Sequence, residues 1–452
     1  MFFLYSFLMG LAALVTAPYW IIKGLRHGKY FSNLSDRLGF AAPALNELPA
    51  QRPGAIWIHA VSVGEALAGA TLAKRLKDAH PDRPLIISTT TITGQALAKE
   101  RFPFADAVIY FPLDWSFCVR RVMDRVKPAI VIVLETEIWP NFLHIAHSRK
   151  VPVVFLSGRI SQRSYARYQK MFSLFGFYLR PFLKLALANA AAFLMQTDQD
   201  AQRLRELGAP PEKVLVSGNL KYDMELPQET VFSGWLESEC KRLGRWPVIV
   251  AGSVVATEEP LALIAYGVAQ GDFQKAFLVL APRKPERFAA AAAFIGESHR
   301  KFVRRSELAV SGPGFSGDSG TREIPSDATV LLLDSIGELA SLYKFADGVF
   351  VGGSLVTSGG HNILEPAAFG KVPVFGESME NFAEIASRFV EAGAAIQVGS
   401  PEDAGVEIIH LLKDQGKMER MGNAARQLVE NSRGALDRSL AEVEKHLGGA
   451  AQ

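Results

Sequence analysis

The chain has 452 residues, 49% of them hydrophobic and 21% charged, with a formal net charge of +3. That length is too great for one ordinary core and points to two domains, and the composition excludes a disordered chain and a polytopic membrane protein. Two cysteines, Cys118 and Cys240, are too few for a disulfide framework and fit a reducing compartment and ordinary semi-buried thiols.

Residues 1–22, MFFLYSFLMGLAALVTAPYWII, carry no charged side chain. At about 1.5 Å per residue they reach roughly 30 Å, the thickness of a bilayer core. Lys23, Arg26 and Lys29 follow with no acid before Asp36, so the positive-inside rule puts the bulk of the chain on the cytoplasmic face. A cleaved signal peptide ending near Val15-Thr16-Ala17 would need a positive n-region, which is missing. A helix lying in one leaflet is a third reading, because Pro18 would break the far end. Segment 1–22 is therefore expected to be a membrane anchor.

Beyond it, short apolar runs alternate with helical patterns, the grammar of parallel-sheet α/β domains. The first-half strands are expected at Ile56–Ala60, Leu85–Thr89, Ala107–Phe111, Ile130–Leu134, Val151–Leu156, Ala192–Met195 and Val214–Val216. Directly after the first comes His59-Ala60-Val61-Ser62-Val63-Gly64-Glu65, opening a helix over Glu65–Ala79. Glu65 in a first helical turn is a candidate general base, but Ser62-x-x-Glu65 is also a capping box, and spacing leaves both roles open. After the fourth strand, Glu135-Thr136-Glu137-Ile138-Trp139-Pro140-Asn141 sets two carboxylates and a Trp at a strand terminus, suited to a sugar or to an acidic turn.

From Ile138 to Thr197, sixty residues hold no Asp or Glu, where average usage gives roughly six. Arg163, Arg167, Lys170 and other cations stand there among Tyr165, Tyr168, Phe172, Phe175, Phe177, Tyr178 and Phe182. Basic and aromatic side chains together suit an anionic lipid surface. The structural alternative is a helix pair with a buried aromatic face. A nucleic-acid groove is disfavoured by the apolar N-terminus. Asp198-Gln199-Asp200 matches Asp-x-Asp, but Thr197-Asp198 reads as a helix start, and no metal site is expected.

A connection over Leu220–Pro227 divides the chain into 23–226 and 227–452, the last helix being free to pack back on the first domain. Second-half strands are expected at Val248–Ala251, Phe277–Ala281, Thr329–Leu333, Gly348–Val351 and Val372–Phe375, with a mobile loop over Ser311–Thr321. The strand ends carry Ala251-Gly252-Ser253, Ala281-Pro282-Arg283-Lys284 and Val351-Gly352-Gly353-Ser354, then Ser358-Gly359-Gly360-His361-Asn362-Ile363-Leu364-Glu365-Pro366. Glycine pairs before a helix N-terminus make an anion cradle, Glu365 can accept from ribose hydroxyls, and Arg283 and Lys284 can hold an anionic donor.

The set HAVSVGE, ETEIWPN, LSGRIS, GNLKYD, AGS, APRKPERF and FVGGSLVTSGGHNILEPA closely resembles the Kdo (3-deoxy-D-manno-octulosonate) transferases of Gram-negative bacteria, glycosyltransferase family 30. The resemblance runs from the anchor to about residue 385. It implies a GT-B fold, two Rossmann-like domains facing a central cleft, and inverting, metal-independent transfer from CMP-Kdo to a lipid A precursor at the inner membrane. It puts the general base on Glu65, a further essential acid on Glu135 or Glu137, and CMP-binding positions on Ser253, Arg283, Gly353, Asn362 and Glu365. Lys284 stands where the family usually has His, and Val254-Val255-Ala256-Thr257-Glu258-Glu259 where it has His-Glu-Gly-Glu-Glu. The alternatives are another GT-B enzyme using a UDP-sugar on a membrane lipid, and a silent nucleotide-binding membrane scaffold.

Overall fold

The computed structural model describes residues 1–27, 33–40, 43–48, 54–60, 63–224, 228–313 and 323–448. It divides into two compact units, Met1–Met224 with Ser432–Gln452, and Glu225–Asn431.

The first unit is built on β1 (Ala55–His59), β2 (Leu85–Thr89), β3 (Ala107–Tyr110), β4 (Pro128–Leu134), β5 (Val153–Gly158), β6 (Ala192–Met195) and β7 (Val214–Val216). All pair in parallel, in the order β3-β2-β1-β4-β5-β6-β7. Successive strand residues face opposite ways, and a sheet covered on both sides needs apolar residues at each position. Accordingly Trp57, Val131 and Val133 join one core with Phe142 and Phe155, while Ile56, Ile58, Ile130 and Ile132 build another. The strand order reverses between β1 and β4. Their carboxyl ends flank a topological switch point, where open α/β sheets take ligands.

Helix Ala435–Gly448 belongs to this unit, so the expected second domain, 227–452, ends short of its last helix. Leu436, Val443 and Leu447 fill the core beside Ile56 and Ile58. The Asp223 carboxylate caps that helix, accepting from Gly434 N at 2.6 Å and Leu436 N at 2.7 Å.

The N-terminal helix, Phe2–His27, continues through Pro18 rather than breaking there. Its stretch Phe2–Tyr19 has the length and apolarity to cross a membrane. The first turn packs on the unit: Phe2 stacks on His144 at 4.1 Å, Tyr5 meets Phe182 at 5.3 Å, and Asn141 Nδ2 donates to Ser6 Oγ at 2.9 Å.

The second unit repeats the scheme with β8 (Val248–Val254), β9 (Phe277–Pro282), β10 (Phe302–Arg304), β11 (Val330–Leu332), β12 (Gly348–Val351), β13 (Pro373–Phe375) and β14 (Ile396–Gln397). The parallel order is β10-β11-β9-β8-β12-β13-β14, with the reversal between β8 and β12. The edge strands β10 and β14 were not expected from sequence. The loop expected at Ser311–Thr321 lies, apart from residues 311–313, outside the described residues.

Candidate functional site

In the first unit both acidic motifs stand at the switch point. Glu65 is in the first turn of helix Val63–Ala79, after β1; its side chain, and Val61 and Ser62, lie outside the described residues. Glu135 follows β4 with φ 58°, and Ser157 near the end of β5 has φ 55°. Left-handed backbone is uncommon outside glycine and concentrates where a site over-determines it. Thr136 Oγ1 accepts from Arg159 N at 2.7 Å, tying the end of β4 to β5. The two carboxyls differ: Glu135 lies 3.9 Å from Lys221 Nζ, whereas burial, and then the Glu135 charge, push the Glu137 carboxyl above the usual carboxylate range.

Beside them His59 is buried, with Nδ1 3.1 Å from the Ser88 carbonyl oxygen and its ring stacked on Phe111 at 3.9 Å. A ring nitrogen facing a carbonyl must carry the proton, so Nε2 keeps a lone pair. Phe111 also meets Trp139 at 5.9 Å. His59 Nε2, Thr89 Oγ1 and Trp139 Nε1 are buried without a hydrogen-bond partner among the described residues. Buried polar atoms are ordinarily satisfied, so these ends of β1, β2 and β4 hold spare donors and acceptors.

In the second unit Ser253 (φ 57°) is the next-to-last residue of β8, Arg283 follows β9, and the glycine turns follow β12. Gly252 leaves room for Tyr343, whose hydroxyl a Cβ there would meet at 2.0 Å. Burial pushes the Glu365 carboxyl up, against the Asn362 hydrogen bond and the Arg283 charge. His361, between Gly360 and Asn362, is held down to about 4 by burial and then by Arg283. Arg283, His361, Asn362 and Glu365 thus gather beside the β8/β12 reversal.

The expectations for Gly353, Ser354, Gly360 and the helix N-terminus are corrected. The amides of Gly353, Ser354 and Leu355 are not open to an anion: they donate to the fully buried Glu258 carboxylate at 2.5, 3.0 and 3.0 Å. Ser354 Oγ is spent on Val351 O at 2.6 Å and Gly376 N at 2.8 Å. The expected anion-binding helix is five residues long, Leu364–Ala368, and Asn362 Oδ1 accepts its first amide at 3.1 Å. Gly360 N is likewise spent, on Gly353 O at 2.8 Å. Lys284, next to Arg283, is exposed and pairs with Glu286 at 3.6 Å. Sequence reasoning passed over Glu258 and His361, although both lie inside motifs it quoted; the signal was a carboxylate and an imidazole among glycines.

Asp198 and Asp200 do begin a helix. Thr197 Oγ1 accepts from Asp200 N at 3.1 Å, and Asp200 Oδ1 accepts from Ile160 N at 2.7 Å. Among the described residues no group of three or more His, Cys, Asp or Glu is arranged to hold a metal ion.

The acid-free stretch is mostly one helix, Gln162–Ala188, with non-helical backbone at Phe175. Arg163, Arg167 and Lys170 are exposed on it. Its aromatics are not all buried, as a structural helix pair would need: Phe177 is 85% and Tyr178 71% exposed. Exposed apolar side chains grouped this way mark an interaction surface.

Residues 32–224 match the family model described as 3-deoxy-D-manno-octulosonic-acid transferase (kdotransferase), and residues 321–428 match glycosyl transferases group 1. The chain is 33% identical to a 3-deoxy-D-manno-octulosonic acid transferase of Haemophilus influenzae, covering 94% of both chains. It is 30% identical to the one from Bordetella pertussis, covering 98% of both. A putative UDP-N-acetylglucosamine 2-epimerase structure from Listeria monocytogenes superposes with TM-score 0.51 at 15% identity, covering 88% of this chain and 98% of that one, which is likeness of fold.

Proposed function

Because the chain belongs to the 3-deoxy-D-manno-octulosonic acid (Kdo) transferase family, we propose that it transfers Kdo from CMP-Kdo to a hydroxyl of a lipid A precursor, with inversion and without a metal. The observation that carries this reading is the gathering of Arg283, His361, Asn362 and Glu365 at one switch point and of the acidic motifs at the other. In the first unit Glu65 takes the proton of the acceptor hydroxyl as its oxygen attacks the anomeric carbon. The spare polar atoms of His59, Thr89 and Trp139 suit a hydroxyl-bearing acceptor. In the second unit the bond from the anomeric carbon to the phosphate oxygen breaks, its electron pair stays on CMP, and Arg283 stabilises that charge. A monophosphate needs less neutralising charge than a diphosphate, which supports turnover without a divalent cation.

Mass spectrometry of a lipid A precursor incubated with CMP-Kdo and the enzyme tests the reading; product is expected with CMP-Kdo and not with UDP-sugars. The same incubation in excess EDTA is expected to keep its rate. A rate that falls with EDTA and returns with magnesium would remove the metal-free mechanism.

The reading extends to the inner membrane, with Phe2–His27 as the anchor and the exposed face of Gln162–Ala188 against anionic lipid on the cytoplasmic side. Each surface cation contributes about 1 kcal/mol of attraction. Replacing Arg163, Arg167 and Lys170 together with Gln is expected to raise the KM for lipid acceptor about tenfold or more, with CMP affinity unchanged. An unaltered acceptor KM returns the stretch to an ordinary solvated helix face.

A further inference from the structure

His361 is set apart in the second unit by how it is held. Its ring lies against Gly353, where a Cβ would stand 2.7 Å from Cδ2 and 2.9 Å from Nε2. Gly353 has φ 71°, its amide donates to Glu258 at 2.5 Å, and its carbonyl accepts from Gly360 N at 2.8 Å. The glycine turn, fixed from below by Glu258, is therefore a seat for the imidazole. The outcome is a buried Nε2 with no hydrogen-bond partner among the described residues, close enough to Arg283 to feel its charge.

We propose that His361 is a donor-site residue whose Nε2–H hydrogen-bonds the phosphate of the nucleoside monophosphate leaving group, beside Arg283. This rests on the CMP-Kdo reading above. As the bond to the anomeric carbon breaks, the phosphate gains a negative charge, and an N–H donor held on the glycine turn stabilises that charge. A ring kept neutral by burial supplies the hydrogen bond without a second cation against Arg283. A hydroxyl ligand would satisfy Nε2 as well, so the test must separate phosphate from sugar.

Two variants do this in the full chain. His361→Phe keeps a ring on Gly353 and removes the donor; His361→Gln keeps an N–H at similar reach. Calorimetry with CMP and with cytidine is expected to show CMP binding weakened about tenfold or more in His361→Phe, the loss typical of a hydrogen bond to a charged group. Cytidine binding should be unchanged, and His361→Gln should keep most of the CMP affinity. Equal loss for CMP and cytidine, no loss for CMP, or equal loss in both variants overturns the assignment alone. Wild-type enzyme that binds no CMP overturns the donor reading and the assignment with it.

Discussion

Glu65→Gln is expected to melt at the wild-type temperature, bind CMP-Kdo with wild-type affinity and lose roughly 10²–10⁴ in kcat. The residue opens helix Val63–Ala79 at the β1/β4 switch point, and two roles compete there. In a capping box with Ser62 the side chain only has to accept the cap residue's amide, which Gln does as well as Glu. In catalysis it must take a proton from the acceptor hydroxyl, which an amide does not do at neutral pH. Alanine would remove both functions; glutamine removes one. Stopped turnover in a normally folded Gln variant therefore identifies the base, and measuring melting and kcat on one preparation separates the outcomes. A fully active Gln variant would pass the role to the second motif, and there the two acids are not equivalent. A useful base titrates toward neutrality. Glu137, raised by burial and by Glu135, meets that requirement; Glu135 lies 3.9 Å from the Lys221 ammonium.

Much of this was legible because parallel strands buried on both faces read as unbroken apolar runs, and twelve such runs fall on strands. The two that escaped, Phe302–Arg304 and Ile396–Gln397, are edge strands of three and two residues, too short to show a period. The placement of acidic and glycine motifs at strand ends was also readable, since reversal of strand order makes those ends meet. Sequence could not show which hydrogen-bonding groups remain open once the chain is folded. A Gly-Gly-Ser turn looks like an anion cradle whether its anion is a ligand or Glu258, 95 residues away. The last helix was ambiguous for the same reason: its stripe of Leu436, Val443 and Leu447 fits any apolar sheet face, and only the fold offers the Ile56 and Ile58 face. In helix Gln162–Ala188 the aromatic pattern permitted burial; there is simply no partner for Phe177 and Tyr178 among the described residues' cores.

Glu258→Gln is expected to lower the stability of the second unit by about 3 kcal/mol and to weaken CMP binding. Glu258 is fully buried, and its two oxygens divide four backbone donors between them. Oε1 accepts from Ser354 N and Leu355 N, both at 3.0 Å; Oε2 accepts from Gly353 N at 2.5 Å and Val255 N at 3.2 Å. A glutamine can keep the first oxygen but turns an NH₂ toward the other two amides, so donors face donors in a space without water. Each orphaned donor costs about 1–3 kcal/mol, and bonds to a charged acceptor are the stronger kind. For a unit of this size the loss corresponds to a fall of roughly 6–12 °C in its Tm. The functional consequence depends on what the turn is for. If Glu258 is a permanent fixture that holds Gly353 under the His361 ring, stability and CMP affinity fall together. If the donor phosphate instead displaces Glu258 from those amides, the variant loses a competitor: Tm falls while CMP binds as tightly as before or more tightly. Tm and CMP Kd measured on the same variant thus decide whether the glycine turn belongs to the scaffold or to the ligand. Four backbone donors on one buried carboxylate favour the scaffold.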